Sequence, residues 1–336
     1  MNSALPQDPP TRPRRRPGRF PRLCALLWLG VSAGCTTAPH RPPAEPRPAP
    51  ESAATNEVSA AVAPTVTSRR VESRLLGNLQ NPEIRESSGL ACSRRNPGLF
   101  WTHNDSDNAP RLFVVGTNGE NVAVCPIRDI WLADCEDMAI WTHHSKPYLL
   151  LADIGDNTVT RKDYCLYLIE EPVIEPATNT LSIPLTCAWK IPFTFPDGAH
   201  NCEAVAVDPL DGSVLIMTKR WTHPCTVYQL RIGDPARKMN RVARTIVSMN
   251  LFAVTAADCS PDGRRLLLAT YGDAYEFTRG PREKWPAVLI RTPAQIALPP
   301  RRQGESACYG PDGLTIYLTS EKQPTPLWEV RLVPEP

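Results

Sequence analysis

The stretch Glu203-Ala204-Val205-Ala206-Val207-Asp208-Pro209-Leu210-Asp211-Gly212-Ser213-Val214-Leu215-Ile216-Met217-Thr218-Lys219 decides how the rest of the chain is read. A carboxylate opens a small apolar run, an Asp-Gly turn follows, and a second apolar run ends in polar residues. That order describes a strand, a hairpin and a returning strand. The pattern comes back at Ser88-Gly89-Leu90-Ala91-Cys92, Glu136-Asp137-Met138-Ala139-Ile140, Thr255-Ala256-Ala257-Asp258-Cys259 and Glu305-Ser306-Ala307-Cys308-Tyr309. Each copy starts on a hydroxyl or a carboxylate. The turns at Asn96-Pro97-Gly98, Ser145-Lys146-Pro147, Asp211-Gly212, Asp262-Gly263 and Asp312-Gly313 are spaced at about 50 residues, with one longer gap.

A fixed period of that length with four strands per repeat predicts an all-β chain, a β-propeller of five four-stranded antiparallel blades. Blade 1 is expected at 89–93, 99–103, 111–116 and 121–127, and blade 2 at 137–141, 148–153, 165–169 and 185–195, after an insertion over 171–180. Blade 3 takes 204–208, 214–218, 226–231 and 242–249; blade 4 takes 256–260, 265–271, 274–277 and 287–292. The fifth has only 306–309, 315–320 and 327–332 before the chain ends, so its outer strand is expected from residues 71–79, closing the ring. The competing architectures are a β-sandwich and a propeller with a sixth, degenerate blade within 171–200.

The 336 residues carry a formal charge of +2, yet eight Lys/Arg against four Asp/Glu fall within residues 1–64, leaving 29 against 31 in the remainder. A slightly acidic folded part speaks against a nucleic-acid partner. Of eleven cysteines, Cys24 and Cys35 precede the repeats, and the odd nine that remain leave at least one thiol free. No Cys-x-x-Cys pair exists, which argues against a zinc ribbon or a thioredoxin-like site. Cys92, Cys259 and Cys308 fall on inner strands, where a small apolar residue packs well. Disulfides are compatible with an exported chain.

Export is itself read from the N-terminus. Six arginines between Arg12 and Arg22 precede the apolar run 23–33, which has the length of a signal-peptide core and is too short to span a bilayer. The ending Val31-Ser32-Ala33-Gly34-Cys35 resembles the lipobox of bacterial lipoproteins, with Ser32 where that motif usually has Leu. The resemblance implies lipidation at Cys35 and a membrane-anchored protein of the cell envelope, periplasmic or at the surface. Residues 36–65 are dense in Pro and Ala and read as an extended linker between this 1–35 segment and a propeller domain at 66–336.

Propellers set the first strand of each blade around a central channel, so the leading residues form a ring. Three glutamates brought together there must take up protons or a cation. Glu136, Glu203 and Glu305, with neutral oxygens from Ser88 and Thr255, make a hard-oxygen set suited to Ca2+. The order Ser, Glu, Glu, Thr, Glu is similar to the Ser, Glu, Glu, Ser, Glu set around the central calcium of the calcium-activated nucleotidases (apyrases), five-bladed propellers whose catalytic Asp-Asp-Arg-Thr-Gly is missing here. Trp101-Thr102-His103-Asn104-Asp105-Ser106, Asp153-Ile154-Gly155-Asp156-Asn157 with Arg161, and Thr319-Ser320-Glu321 resemble a family of secreted bacterial propellers without an assigned activity, over residues 86–332.

The second strands end in His103 and Asp105, in Asp153 with Asp156 and Asn157, in Lys219 and Arg220, in Tyr271, and in Glu321. Ends at one repeat position gather on one face of the disc, with Arg111 and Arg161 nearby. The bases could grip an anion, and Asp105 or Asp153 could activate water. The plainer reading is turn chemistry, in which Asp and Asn side chains bond their own backbone. Nucleophile elbow, phosphate-cradling Gly loop, His-Glu-x-x-His and dinucleotide fingerprint are all absent. The expected functions are a calcium-holding envelope binding or scaffold propeller or, alternatively, a calcium-dependent hydrolase of phosphate esters and anhydrides, or of sugars and lactones.

Overall fold

Four β-strands per sheet, five times over, make up nearly all of the regular secondary structure among the described residues. The computed structural model describes residues 67–105, 109–175 and 179–333. The signal-like segment, Cys35 and the Pro/Ala-rich linker lie outside the described residues, as do 106–108 of the first polar loop.

Blade 1 consists of Ser87–Cys92, Leu99–Asn104, Arg111–Gly116 and Asn121–Arg128. Blade 2 consists of Cys135–His143, Lys146–Asp153, Tyr164–Glu170 and Trp189–Thr194; blade 3 of Cys202–Val207, Val214–Thr218, Cys225–Leu230 and Arg244–Met249. Blade 4 has Val254–Cys259, Arg265–Thr270, Ala274–Thr278 and Ala294–Ile296. In blade 5, Ser306–Tyr309, Thr315–Thr319 and Pro326–Leu332 are completed by Val71–Asn78, which pairs antiparallel with the last strand from Val71↔Leu332 to Asn78↔Pro326. The expected closure by the N-terminal strand is therefore present. The five inner strands touch in cyclic order, blade 5 against blade 1 included.

Residues 171–200 form no sixth blade. Leu181–Ser182 and Leu185–Thr186 instead pair in parallel along the outer strand of blade 1, and Trp189–Thr194 becomes the outer strand of blade 2. Arg241–Val242 lies in the same way along blade 2, and Ser68–Arg69 along blade 4. In each case the chain covers the previous blade's open edge just before it forms the next outer strand. Covered edges cannot pair with another chain.

The expected strand at 287–292 does not form. Trp285–Val288 is one helical turn, and the outer strand of blade 4 is Ala294–Ile296. Trp285 turns inward, where its indole N–H donates to Asp208 Oδ2 at 3.0 Å and the Arg279 guanidinium lies 4.3 Å over its ring. Arg279 grips the same carboxylate at 2.6 and 2.8 Å. That buried trio fixes the segment more strongly than its β propensity does.

Apolar layers between consecutive blades replace a single core, because side chains alternate across each strand. Leu149 and Leu151 pack into the seam with blade 1, while Leu150 and Ala152 pack into the seam with blade 3. All nine cysteines of the described residues are free thiols; Cys92 and Cys308 approach to 3.7 Å between sulfurs across the blade 5–blade 1 seam.

The hairpin turns are locked by their aspartates. Asp312 accepts from the backbone N–H of Leu314 and of Thr315, each at 2.9 Å, and from the Thr315 hydroxyl at 2.7 Å. Asp312→Ala is expected to lower stability by about 1 kcal/mol, since these partners face water once freed. A shift of the urea midpoint with an unchanged slope checks it.

Candidate metal centre at the mouth of the ring

The ring positions are β-bulges. Pairing of the inner strand with its neighbour slips between Ser87 and Gly89, Cys135 and Asp137, Cys202 and Ala204, and Val254 and Ala256. The residues left out of register are Ser88, Glu136, Glu203 and Thr255, and a bulged residue has its side chain re-aimed away from the regular pleat. Glu305 stands just ahead of Ser306, the first paired residue of blade 5. Glu136, Glu203 and Glu305 are all buried, and each offers an oxygen within 4.8 Å of the others.

The two hydroxyls stitch blades together. Ser88 Oγ donates to the Glu136 carbonyl and Thr255 Oγ1 to the Gly304 carbonyl, both at 2.8 Å, so Ser88 reaches the ring residue of the next blade and Thr255 the residue just before it. Their oxygen lone pairs are left for a further partner.

Lys219 enters this ring. Its Nζ pairs with Glu203 Oε2 and lies 3.6 Å from Glu305 Oε1. Tyr271 Oη donates to Glu305 Oε1 at 2.6 Å, and Asn201 Nδ2 to Glu203 Oε1 at 3.1 Å. Burial pushes the Lys219 pKa down, but Glu203 and Glu305 outweigh it and hold the ammonium above the usual lysine range. Burial raises Glu203 to about 7 against the opposing pull of Lys219. Glu136 is raised well above the carboxylate range, by burial first and then by Glu203, Asp105 and Asp134. Only 3% of Glu136 is exposed.

A second acidic group shares Glu136. Asp105, Asp134 and Glu136 likewise offer oxygens within 4.8 Å of one another. Asp134 lies outside the repeat and was not among the expected ligands. Its backbone is held on both sides: the N–H donates to Asp153 Oδ1 at 2.9 Å, and the carbonyl accepts from Ile154 and Gly155 at 3.1 and 3.0 Å.

The other expected residues have definite places. Asp153 accepts from Arg161 Nη1 at 2.9 Å, and Arg161 also donates to the Gly155 carbonyl at 2.8 Å, so this pair shapes the loop. Asp156 caps the same loop through the N–H groups of Thr160 and Arg161 and accepts from Tyr164 Oη. Asn157 accepts from Asn201 at 3.2 Å. His103 is buried beneath Gly89, and burial lowers its pKa to about 4, so it is neutral at ordinary pH. Arg111 pairs with Glu83. Glu321 takes a hydrogen bond from Gln303, and burial with Glu305 beside it raises its pKa to about 8.

Missed altogether was Asp137, fully buried beside Glu136. Its Oδ2 accepts from the backbone N–H of Val205 at 2.8 Å and of Ala257 at 3.4 Å, tying the inner strands of blades 3 and 4 to blade 2. An acid inside an otherwise apolar inner strand was the available signal.

At the mouth, Trp221 is 67% exposed and stacks on Tyr271 with centroids 5.4 Å apart and planes at 15°. A hollow of about 230 Å3 is lined by Val159, His200, Asn201, Lys219, Arg220 and His223. Arg220 Nη2 is 3.0 Å from His200 Nδ1. At the hairpin end of the inner strands a second cavity, about 210 Å3, contains Asp258, which accepts from the Tyr309 N–H at 2.8 Å.

No protein-family model matches the chain, and no curated protein matches it. Among solved structures, a nidogen/laminin complex is similar at 13% identity over 72% of this chain and 74% of the other, with a TM-score of 0.42. A gluconolactonase from Xanthomonas campestris shares 11% identity over 78% and 90%, with a TM-score of 0.42. An auxiliary nutrient binding protein from Bacteroides thetaiotaomicron shares 6% over 78% and 76%, with a TM-score of 0.41. The propeller assignment rests on the chain's own five sheets, and no reaction or ligand is taken from these likenesses.

Proposed function

We propose that the chain is a cell-envelope binding propeller that holds a calcium ion among the carboxylates at its mouth and takes a small ligand above it. The observation that carries the metal is Glu136. Its carboxylate is buried and faces four other acids, and such a group must stay protonated or meet a cation. Asp105, Asp134, Glu203 and Glu305 surround it, and Lys219 is the cation in contact with the ring. An all-oxygen set suits a hard ion, and Ca2+ accepts such an irregular arrangement more readily than Mg2+, which demands a near-ideal octahedron. Ser88 and Thr255 fit as neutral oxygens of the same region.

The exposed Trp221 face, with Arg220 next to it, supports a small ring compound carrying negative charge as ligand, because an indole offers a stacking surface and a guanidinium an anion clamp. The lipobox-like ending at Cys35 and the proline-rich run after it support a lipid anchor in the envelope membrane, with no nucleic acid as partner.

Metal analysis of the purified mature protein tests the reading. One equivalent of calcium per chain, lost to a chelator together with a drop in Tm, is the expected result; a protein that binds no calcium and melts unchanged overturns it. The hydrolase reading is kept for one observation, that Glu203 is held near pH 7 beside Lys219, where a general base works best. Calcium-dependent turnover of a phosphate ester, nucleotide, sugar or lactone would establish that reading. Glu203 is then a candidate base beside Asp105, and Asp153 is held in place by Arg161.

A further inference from the structure

We infer that the hollow lined by His200, Asn201, Arg220 and His223 seats the oxyanion of the ligand, a phosphate or a carboxylate, on the Arg220 guanidinium, and that His200 aims that guanidinium. This deepens the reading of a negatively charged ligand at the mouth and rests on it.

The lining brings a guanidinium, an ammonium, two imidazoles and the Asn201 amide around about 230 Å3, with no carboxylate among them. Lys219 is already committed to Glu203 and Glu305, so Arg220 is the permanent charge that meets an anion here. The same Lys219 lies 5.1 Å from the centre of the Tyr271 ring, on which Trp221 stacks. Hollow and stacking face therefore adjoin through one side chain, as a ring that carries an anionic group requires.

Arg220 is held in a way that leaves its charge available. Its Nη2 lies 3.0 Å from His200 Nδ1, and a guanidinium only donates, so Nδ1 presents its lone pair and the ring proton is on Nε2. Nε2 stands 2.9 Å from Asp197 Oδ1 and 2.7 Å from Tyr228 Oη, while Tyr228 donates to Asp197 Oδ2 at 2.8 Å. Both contacts agree with that tautomer. The acceptor is a neutral nitrogen, so the bond orients Arg220 without cancelling its charge. One Nη2 proton is spent, which leaves one complete two-proton edge of the guanidinium, the edge that grips a carboxylate or phosphate in parallel.

The partner that does the aiming is itself fixed. His200 is only 8% exposed, its backbone N–H donates to Tyr164 Oη at 2.9 Å, and the rings of Phe195 and Tyr228 pack against it. Asn201 Oδ1 accepts the Asp156 N–H at 2.7 Å, which ties this wall to the loop that bears Val159. A side chain ordered beforehand loses little freedom when its ligand arrives. His200 is thus a positioning residue, acting on the anion through Arg220.

Titration calorimetry of the mature protein with phenyl phosphate and with benzoate tests the seat, each probe joining a ring to one of the two anions. Phenyl phosphate is expected to bind more tightly, because it brings more charge to Arg220 and His223; the reverse order assigns the seat to a carboxylate. Arg220→Gln is expected to weaken both probes by about 30-fold, the scale for losing charge-assisted hydrogen bonds. Arg220→Lys, which keeps the charge without the fork, is expected to recover only part of that loss. His200→Ala is expected to weaken binding by about tenfold through lost preorganisation, and His200→Asn, whose side-chain oxygen can accept in place of Nδ1, to recover most of it. Nitrogen NMR of the wild type reads the tautomer directly, and a neutral His200 carrying its proton on Nδ1 overturns the positioning role. Probe binding that Trp221→Ala weakens and Arg220→Gln leaves unchanged overturns the seat and leaves the reading of a ring ligand at the mouth standing. A wild-type protein that binds neither probe overturns both.

Discussion

Lys219→Met is expected to cost the calcium-free protein about 3 kcal/mol at pH 8, the scale for removing one partner of a buried ion pair. The ammonium is in contact with Glu203, lies 3.6 Å from Glu305, and sits 5.1 Å from the centre of the Tyr271 ring. Its side chain is only 13% exposed, so water replaces little of what it contributes. Once it is gone, three carboxylates whose oxygens lie within 4.8 Å lose the ammonium that pairs with two of them. The chain can relieve part of this by protonation. Glu203 is raised to about 7 even with the lysine present, and without it the carboxyl holds its proton more firmly. The loss is therefore expected to shrink as pH falls from 8 to 5.5. Urea unfolding in chelator at both values measures it, and a loss under about 1 kcal/mol at pH 8 would mean that Lys219 does not neutralise the ring. Calcium should then recover more stability in the variant than in the wild type, because the emptied space is itself lined by oxygens.

That lysine marks where the sequence could be read and where it could not. The ring was legible because each of its members opens a small apolar run at the same repeat position, and position alone decides which residues of a propeller face the axis. The bulge that re-aims Ser88, Glu136, Glu203 and Thr255 adds the local cause. Closure by Val71–Asn78 was legible from counting, since blade 5 was one strand short. Lys219, by contrast, ends a second strand and read as one of the bases that could grip an anion on one face of the disc. Its place in the ring follows from a long flexible stem reaching back to Glu203, a contact that neither period nor propensity encodes. Asp134 falls outside the repeat and becomes part of the site only because Asp153 and the 153–155 backbone hold it there. The blade 4 edge was misplaced for a similar reason: Trp285 leaves strand geometry to reach Asp208, which comes from a distant part of the chain and is also held by Arg279.

The metal-free protein is expected to lose stability as pH rises from about 5 to 8, opposite to the usual trend for a carboxylate-rich surface. Glu136, Glu203 and Glu321 all have folded pKa values above the ordinary 4.5, at about 7 for Glu203 and about 8 for Glu321. Below the unfolded value both states hold the proton and the contribution is fully present. Between the unfolded and folded values only the folded protein holds it, so each pH unit removes stability until the folded pKa is passed. At about 1.4 kcal/mol per unit and per group, discounted for the partners these carboxyls share, the loss is on the order of 3 kcal/mol. The lowered carboxyls of the hairpin turns, Asp211, Asp262 and Asp312, act the other way, but only as pH falls through the region below 4. Thermal unfolding in chelator should therefore show its highest Tm near pH 5. Calcium inverts the dependence, because its ligands must be deprotonated and binding releases protons. The rise in Tm on adding calcium is expected to be larger at pH 8 than at pH 5.5. Equal rises at both values would mean that the ion does not displace protons from the Glu136 group, and that the buried carboxyls and the metal act at separate places.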